Sequence, residues 1–286
     1  MEREEYKIGE NQIFVERLTP DRASDTSEEL EIYDRPVVLI HGAFGGSFSW
    51  NKISSALCEE GFECISPSLR GHGPSGGSLG SVGLGDYVED IEVVVDELGL
   101  EKPVIIGHSM GGLIGFLYAR KHIDDVEAIV GLDPALPKEI WDIEETDILE
   151  NLDDPVGLED IEGGMDISKV RDRVPDISPE YAVDMVRRAN KEPKKVWEQI
   201  VDGVSIPSDS FKDTPLLLMG VEFDNALKIS VPAEKIRDMA EKFNGDFFAV
   251  KGATHSGIVM GEHAGEVGSI IADWLREQEE LSESIQ

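Results

Sequence analysis

The sequence predicts an α/β protein: a mostly parallel sheet with helices on both faces, and a helical segment inserted late in the chain. Three observations carry this. Short apolar runs (Val37–Ile40, Val104–Ile106 and Leu216–Met219, with Val126–Leu132 interrupted by Glu127 and Gly131) have the look of strands buried on both faces. Between them lie stretches whose apolar residues recur at helical spacing, and strands alternating with helices at these intervals imply parallel crossovers. The rhythm then breaks between Pro134 and Asp213, where carboxylates crowd in and no buried strand is evident.

Taken in order, residues 1–35 are polar, with a short apolar run at Ile13–Val15, a Ser/Asp-rich break at Ser24–Ser27 and alternation at Leu30–Tyr33, which reads as two edge strands joined by a loop. Val37–Ile40 leads into the glycine-rich loop His41-Gly42-Ala43-Phe44-Gly45-Gly46, and a helix is expected from Phe48 to Glu60, ended by Gly61. A short strand Phe62–Ile65 precedes a turn-rich loop, Ser66 to Ser75, and a glycine-dense tract to Gly85. Asp86-x-x-Glu89 resembles a capping box for a helix carrying Tyr87, Ile91, Val94, Val95 and Leu98 on its apolar side. In the inserted segment, Ser178-Pro179-Glu180 is a cap for Tyr181–Ala189, and Pro193 begins a helix through Val201. Strand Pro215–Gly220, a helix after Pro232, strand Asp246–Val250 and a last helix burying Val267, Ile270, Ile271, Trp274 and Leu275 complete the core, and the polar tail from Gln278 is expected to fray. The expected core domain is thus 1–133 with 214–286, with 134–213 a mostly helical insertion lying over the sheet's carboxyl edge.

Charge narrows the partners. The 286 residues hold 59 Asp and Glu against 26 Lys and Arg, a formal net charge of −33, which argues against nucleic acid. The excess is spread along the chain and not gathered in one tail, as expected of an acidic surface adapted to high salt, where screening hides the self-repulsion. Two cysteines, Cys58 and Cys64, make neither a zinc pattern nor a disulfide framework. Without a signal-like apolar N-terminus or an 18-residue apolar window, the expected location is the cytoplasm and no membrane span is expected.

The chemistry centres on Gly107-His108-Ser109-Met110-Gly111, which follows the strand run and precedes a helix from 110 to 121. Gly-x-Ser-x-Gly in that setting is a nucleophile elbow: the serine occupies a strained turn, and glycines flank it because side chains there would collide. A serine hydroxyl needs an imidazole to take its proton, and the imidazole needs a carboxylate to fix its tautomer. Among the six histidines, His255 follows a late strand in a small-residue loop and is the expected base, with His263 next in line. Asp224, at the end of the strand after the insertion, is the expected acid; Asp133, otherwise a cap before Pro134, and Glu222 are the alternatives. The backbone N–H groups of Met110 and Ala43 are expected to form the oxyanion hole, or Phe44 in place of Ala43 if its loop turns one residue later.

Together, Leu39-Ile40-His41-Gly42-Ala43-Phe44-Gly45-Gly46, Leu69-Arg70-Gly71-His72-Gly73-Pro74-Ser75, the serine elbow, Asp224 and Gly252-x-x-His255 resemble the α/β-hydrolase superfamily, which also shows the order Ser, Asp, His. The resemblance runs from about Pro36 to Leu275 apart from the insertion, and implies the α/β-hydrolase fold with a serine esterase or lipase-like activity and no metal or organic cofactor. Ser68 departs from it, standing where many members have Asp, so a structural salt bridge is in question. The insertion falls where the family carries its lid, and Phe44, Trp141, Met165 and Trp197 are expected to line a substrate pocket. The same framework also serves carbon–carbon bond hydrolases, lactonases and hydroxynitrile lyases, and a non-catalytic ligand binder is the reading outside enzymology. A small-molecule ester is the expected partner.

Overall fold

The computed structural model describes residues 1–21, 32–140, 152–160, 167–211, 213–222 and 231–285. Eight strands form one sheet in the order β1-β2-β4-β3-β5-β6-β7-β8. They are β1 (Glu2–Ile8), β2 (Ile13–Thr19), β3 (Val37–Ile40), β4 (Cys64–Ser68), β5 (Val104–His108), β6 (Ile129–Leu132), β7 (Leu216–Val221) and β8 (Asp246–Val250). From β4 to β8 all neighbours are parallel, while β2 runs antiparallel to both β1 and β4.

The two faces of the sheet follow from the period of two along each strand. Val37 and Leu39 of β3, Val104 and Ile106 of β5, and Leu217 and Met219 of β7 join one core, with α1 (Asn51–Glu59) and α9 (Ala264–Ile285) packed on it. Val38, Ile40, Ile105, Leu216 and Leu218 join the other, under α2 (Leu84–Leu98), α3 (Met110–Lys121) and α7 (Ala233–Lys242). Each fully buried Val, Leu or Ile contributes about 1.5–3 kcal/mol relative to exposure, so these alternating pairs tie both helical layers to the sheet.

Between β6 and β7 the described residues form α4 (Ile167–Arg173), α5 (Pro179–Arg188) and α6 (Lys194–Asp202), and Val156 bridges Glu192. Among the described residues of this segment, Val170, Val174 and Ala182 join the first cluster, and Val196, Ile206 and Phe211 the second. A four-residue helix, α8 (Gly257–Met260), follows the loop after β8.

Three local expectations are corrected. The two N-terminal strands both precede the Ser/Asp-rich break, and β1 carries five exposed residues among its seven, an edge strand made of charges that apolar patterning does not reveal. Leu30 and Glu31 lie outside the described residues, and Tyr33 is buried without being in a strand. Helix α2 starts at Leu84, so Asp86 is its third residue and its carboxylate accepts from the Gly83 N–H (2.8 Å). The C-terminal tail stays helical to Ile285, because the run after Gln278 is rich in good helix formers that tolerate solvent all round.

Candidate active site

The serine elbow sits at the carboxyl edge of the central strand β5, where α3 begins. Ser109 has φ 54° and ψ −122°, a strained conformation for a residue with a side chain. Crowding explains the glycines: a Cβ on Gly107 would lie 2.2 Å from the Gly111 carbonyl oxygen, and one on Gly111 would lie 2.1 Å from that of Ile40. The Ser109 N–H donates to the Leu132 carbonyl (3.1 Å), and its own carbonyl accepts from Ala135 N–H (2.9 Å), so the strained residue is anchored to the end of β6.

His255, in the loop after β8, sets Nε2 2.9 Å from Ser109 Oγ. Its Nδ1 lies 2.5 Å from Asp133 Oδ2. Asp133 is fully buried, at the first position past β6, and its N–H donates to Met219 O (2.7 Å). The carboxylate on His255 is therefore the residue otherwise read as a cap before Pro134. Its backbone φ is 43°, in the left-handed region, at the sheet edge. Asp224 lies outside the described residues. Of the remaining alternatives, Glu222 is exposed at the end of β7, and His263 faces Glu266 at 3.7 Å.

Two further histidines brace this geometry. His108 Nε2 lies 2.8 Å from the His255 carbonyl and donates to it; burial and then the neighbouring His255 hold the His108 ring well below its usual pKa, hence neutral. His41 donates from Nδ1 to the Gly42 carbonyl (2.8 Å) and accepts the Leu69 N–H at Nε2 (3.1 Å). Its pKa is pushed down to about 3, by burial first and by His72 second.

The loop after β3 passes beside the serine: a Cβ on Gly42 would lie 3.0 Å from Ser109 Cβ. Phe44 N–H is committed to Glu192 Oε1 at 3.0 Å, which removes it as an oxyanion donor and points to Ala43 N–H, together with Met110 N–H at the start of α3. The Phe44 ring meets that of Trp197 at 5.6 Å, so two of the expected pocket residues come together, whereas Trp141 and Met165 lie outside the described residues.

Sequence reasoning gave no sign of Glu192. This carboxylate is fully buried, and it accepts from Phe44 N–H, from His72 Nε2 (2.7 Å) and from Tyr87 O–H (2.8 Å). In the sequence it is one charge in the polar stretch Lys191-Glu192-Pro193, with no periodicity to mark it as internal. Ser68 also resolves cleanly. Its hydroxyl accepts from Ser47 N–H (2.9 Å), and Arg70 finds its carboxylates on α2 instead, with Nε 2.8 Å from Asp90 Oδ1.

Residues 35–159 match the family model described as the alpha/beta hydrolase fold. A soluble epoxide hydrolase from Corynebacterium sp. (strain C12) is 35% identical over 98 residues, which cover 34% of each chain. A thermophilic esterase from Thermogutta terrifontis superposes with a TM-score of 0.70 at 22% identity, covering 97% of this chain and 99% of that one. A monoacylglycerol lipase from Paleococcus ferrophilus gives 0.66 at 23% identity, over 92% and 98%. The chain has the α/β-hydrolase fold. The matched region holds the glycine-rich loop after β3, the serine elbow and Asp133, while His255 and Glu192 lie beyond it. The match spans only about a third of that curated relative's length. Among the described residues no cluster of three His, Cys, Asp or Glu is placed to hold a metal, and no helix is long and apolar enough to cross a membrane.

Proposed function

We propose that the protein is a serine hydrolase of carboxylic esters, with Ser109 as nucleophile, His255 as base and Asp133 as the orienting acid. The observation that carries this reading is His255 itself, hydrogen-bonded at once to Ser109 Oγ and to a buried carboxylate. Ser109 Oγ attacks the ester carbonyl as its proton passes to His255 Nε2; Asp133 keeps the Nδ1 proton in place and stabilises the imidazolium. The Ala43 and Met110 N–H groups receive the developing oxyanion. Collapse breaks the C–O bond, and His255 returns the proton to the departing alcohol. Water, deprotonated by the same imidazole, then releases the acid from the acyl-serine and Ser109 regains its proton. Phe44 and Trp197 form part of the acyl or alcohol pocket, with Trp141 and Met165 as proposed additions from the insertion, which acts as the lid.

Similarity to an epoxide hydrolase does not redirect this reading. Attack on an epoxide by a serine hydroxyl would leave an ether, which water does not release under mild conditions, whereas an acyl-serine is readily hydrolysed. The test is turnover of p-nitrophenyl esters from C2 to C16 by wild type and Ser109→Ala, alongside fluorophosphonate labelling. The proposal expects labelling and turnover that both vanish in the variant, with a chain-length profile that sizes the pocket. A folded protein that labels at Ser109 yet hydrolyses no ester would instead favour carbon–carbon bond hydrolysis on the same site.

A further inference from the structure

The segment between β6 and β7 grips both loops that flank Ser109. Ahead of α5, the Asp176 carboxylate accepts from Thr254 N–H (3.0 Å) and Thr254 Oγ (2.7 Å), fixing the residue before His255. The Asp176 carbonyl also takes the Glu262 N–H (2.9 Å). Just past α5, Asn190 N–H donates to Phe44 O (2.9 Å), Asn190 Nδ2 to Gly45 O (2.5 Å), and Asn190 Oδ1 accepts from Gly73 N–H (2.7 Å). Glu192 then takes the Phe44 N–H. Both backbone groups of Phe44 are thus held by the insertion.

That hold matters because Phe44 has φ 63°, a left-handed conformation disfavoured for a bulky side chain and maintained only where surroundings impose it. The preceding residue is Ala43, whose N–H is the loop's candidate oxyanion donor beside Ser109. Three donors on one buried carboxylate leave Glu192 a single orientation, as a supporting residue needs.

We infer that Glu192, assisted by Asn190, is a positioning residue of the oxyanion hole: it locks the Phe44 peptide from the inserted segment and so aims the Ala43 N–H at the reacting carbonyl. The hole's chemistry rests on the ester-hydrolase reading; the locking of the loop does not.

The experiment compares wild type, Glu192→Ala, Glu192→Gln and Asn190→Ala, each first shown to be folded by circular dichroism. It reads p-nitrophenyl ester kinetics and amide hydrogen exchange over residues 42–46. Loss of the clamp should lower kcat by about 10- to 100-fold with KM changed less than about twofold, since an oxyanion donor acts in the transition state. Exchange in the loop should quicken in parallel. Glu192→Gln, which keeps an acceptor for the Phe44 N–H, should recover most of both. A folded Glu192→Ala with wild-type kcat and loop exchange overturns the inference, as does a rise in KM alone, which would assign Glu192 to shaping the pocket. Should Glu192→Ala fail to fold, Glu192→Gln and Asn190→Ala decide: wild-type loop exchange in Asn190→Ala together with full loss in Glu192→Gln overturns it. If wild type shows no Ser109-dependent turnover, the ester reading falls, and loop exchange alone decides the clamp.

Discussion

The protein holds two histidine–carboxylate pairs near the carboxyl edge of its sheet, and their surroundings differ in one respect. His255 rests on Asp133 at 2.5 Å, and His72 on Glu192 at 2.7 Å; both carboxylates are fully buried. The difference lies at the other ring nitrogen. His255 Nε2 faces the Ser109 hydroxyl, which can donate, so a neutral ring with a free lone pair satisfies both contacts. His72 Nδ1 faces the Arg70 carbonyl (3.0 Å), so acceptors stand at both of its nitrogens and the ring must carry both protons. In the proposed mechanism the first pair holds a base in readiness. The other is a fixed internal ion pair. Similar side chains at similar distances thus acquire different roles from one atom of their surroundings.

The titration of the second pair follows from the same contacts. Burial works against a charged His72, but the Glu192 carboxylate outweighs it and raises the pKa; Asp90 acts in the same direction. Burial likewise opposes the Glu192 charge, and His72 overcomes it, with help from the Tyr87 and Phe44 donors, so Glu192 lies below the carboxylate range. The other groups around the pair are His41, whose ring is 4.9 Å from His72, and Arg70, held by Asp90.

Breaking the first pair should give the largest effect. Asp133→Asn is expected to lower kcat on the order of 10⁴-fold with the fold intact, by stabilising the wrong tautomer of His255, whereas Asp224→Asn should stay near wild type; steady-state kinetics on one ester checks both. Equal losses in the two variants, or a loss in Asp224→Asn alone, would return the acid to the strand after the insertion.

Breaking the second pair should show as stability. His72→Gln leaves Glu192 charged without its partner and is expected to cost about 3–5 kcal/mol in urea unfolding at neutral pH. In wild type, the raised pKa of His72 contributes stability that is complete below the unfolded value of about 6.5 and is lost as pH rises through the folded value. The depressed pKa of Glu192 contributes stability that is complete above about 4.3 and fades as pH falls through its folded value. The contribution of the pair is thus fullest between these limits, and His72→Gln should remove the alkaline decline. An unchanged alkaline limb in that variant would assign the decline to other groups.

The smallest effect separates interior from surface. Raising salt from 0.1 to 2 M should lift Tm by about 5 °C if the net charge of −33 is an adaptation to high salt, because exposed repulsion is screened. The cost of His72→Gln should stay nearly constant, since buried pairs are screened much less. A Tm flat across that range would remove the high-salt reading.

Much of this was legible locally. The strand runs, the glycine-flanked serine and a histidine in a small-residue loop after the last strand are short-range patterns, because chain geometry within a few residues dictates them: a tight elbow excludes side chains at Gly107 and Gly111 whatever lies farther away. The charged edge strand β1 was not legible, since solvent covers most of its side chains and leaves little pattern to read.

What tertiary structure alone decided was the partner of each buried charge. Two aspartates stood at the ends of adjacent candidate strands, both between Ser109 and His255 in the chain, and the sequence reading preferred Asp224; the contact described with Asp133 depends on where β6 ends relative to the loop after β8. Glu192 became internal because the insertion folds back across loops more than a hundred residues earlier, to donors on Phe44, His72 and Tyr87. Helix and strand periods are written into neighbouring residues. Which carboxylate meets which imidazole is set by packing between distant segments, and no local pattern encodes it.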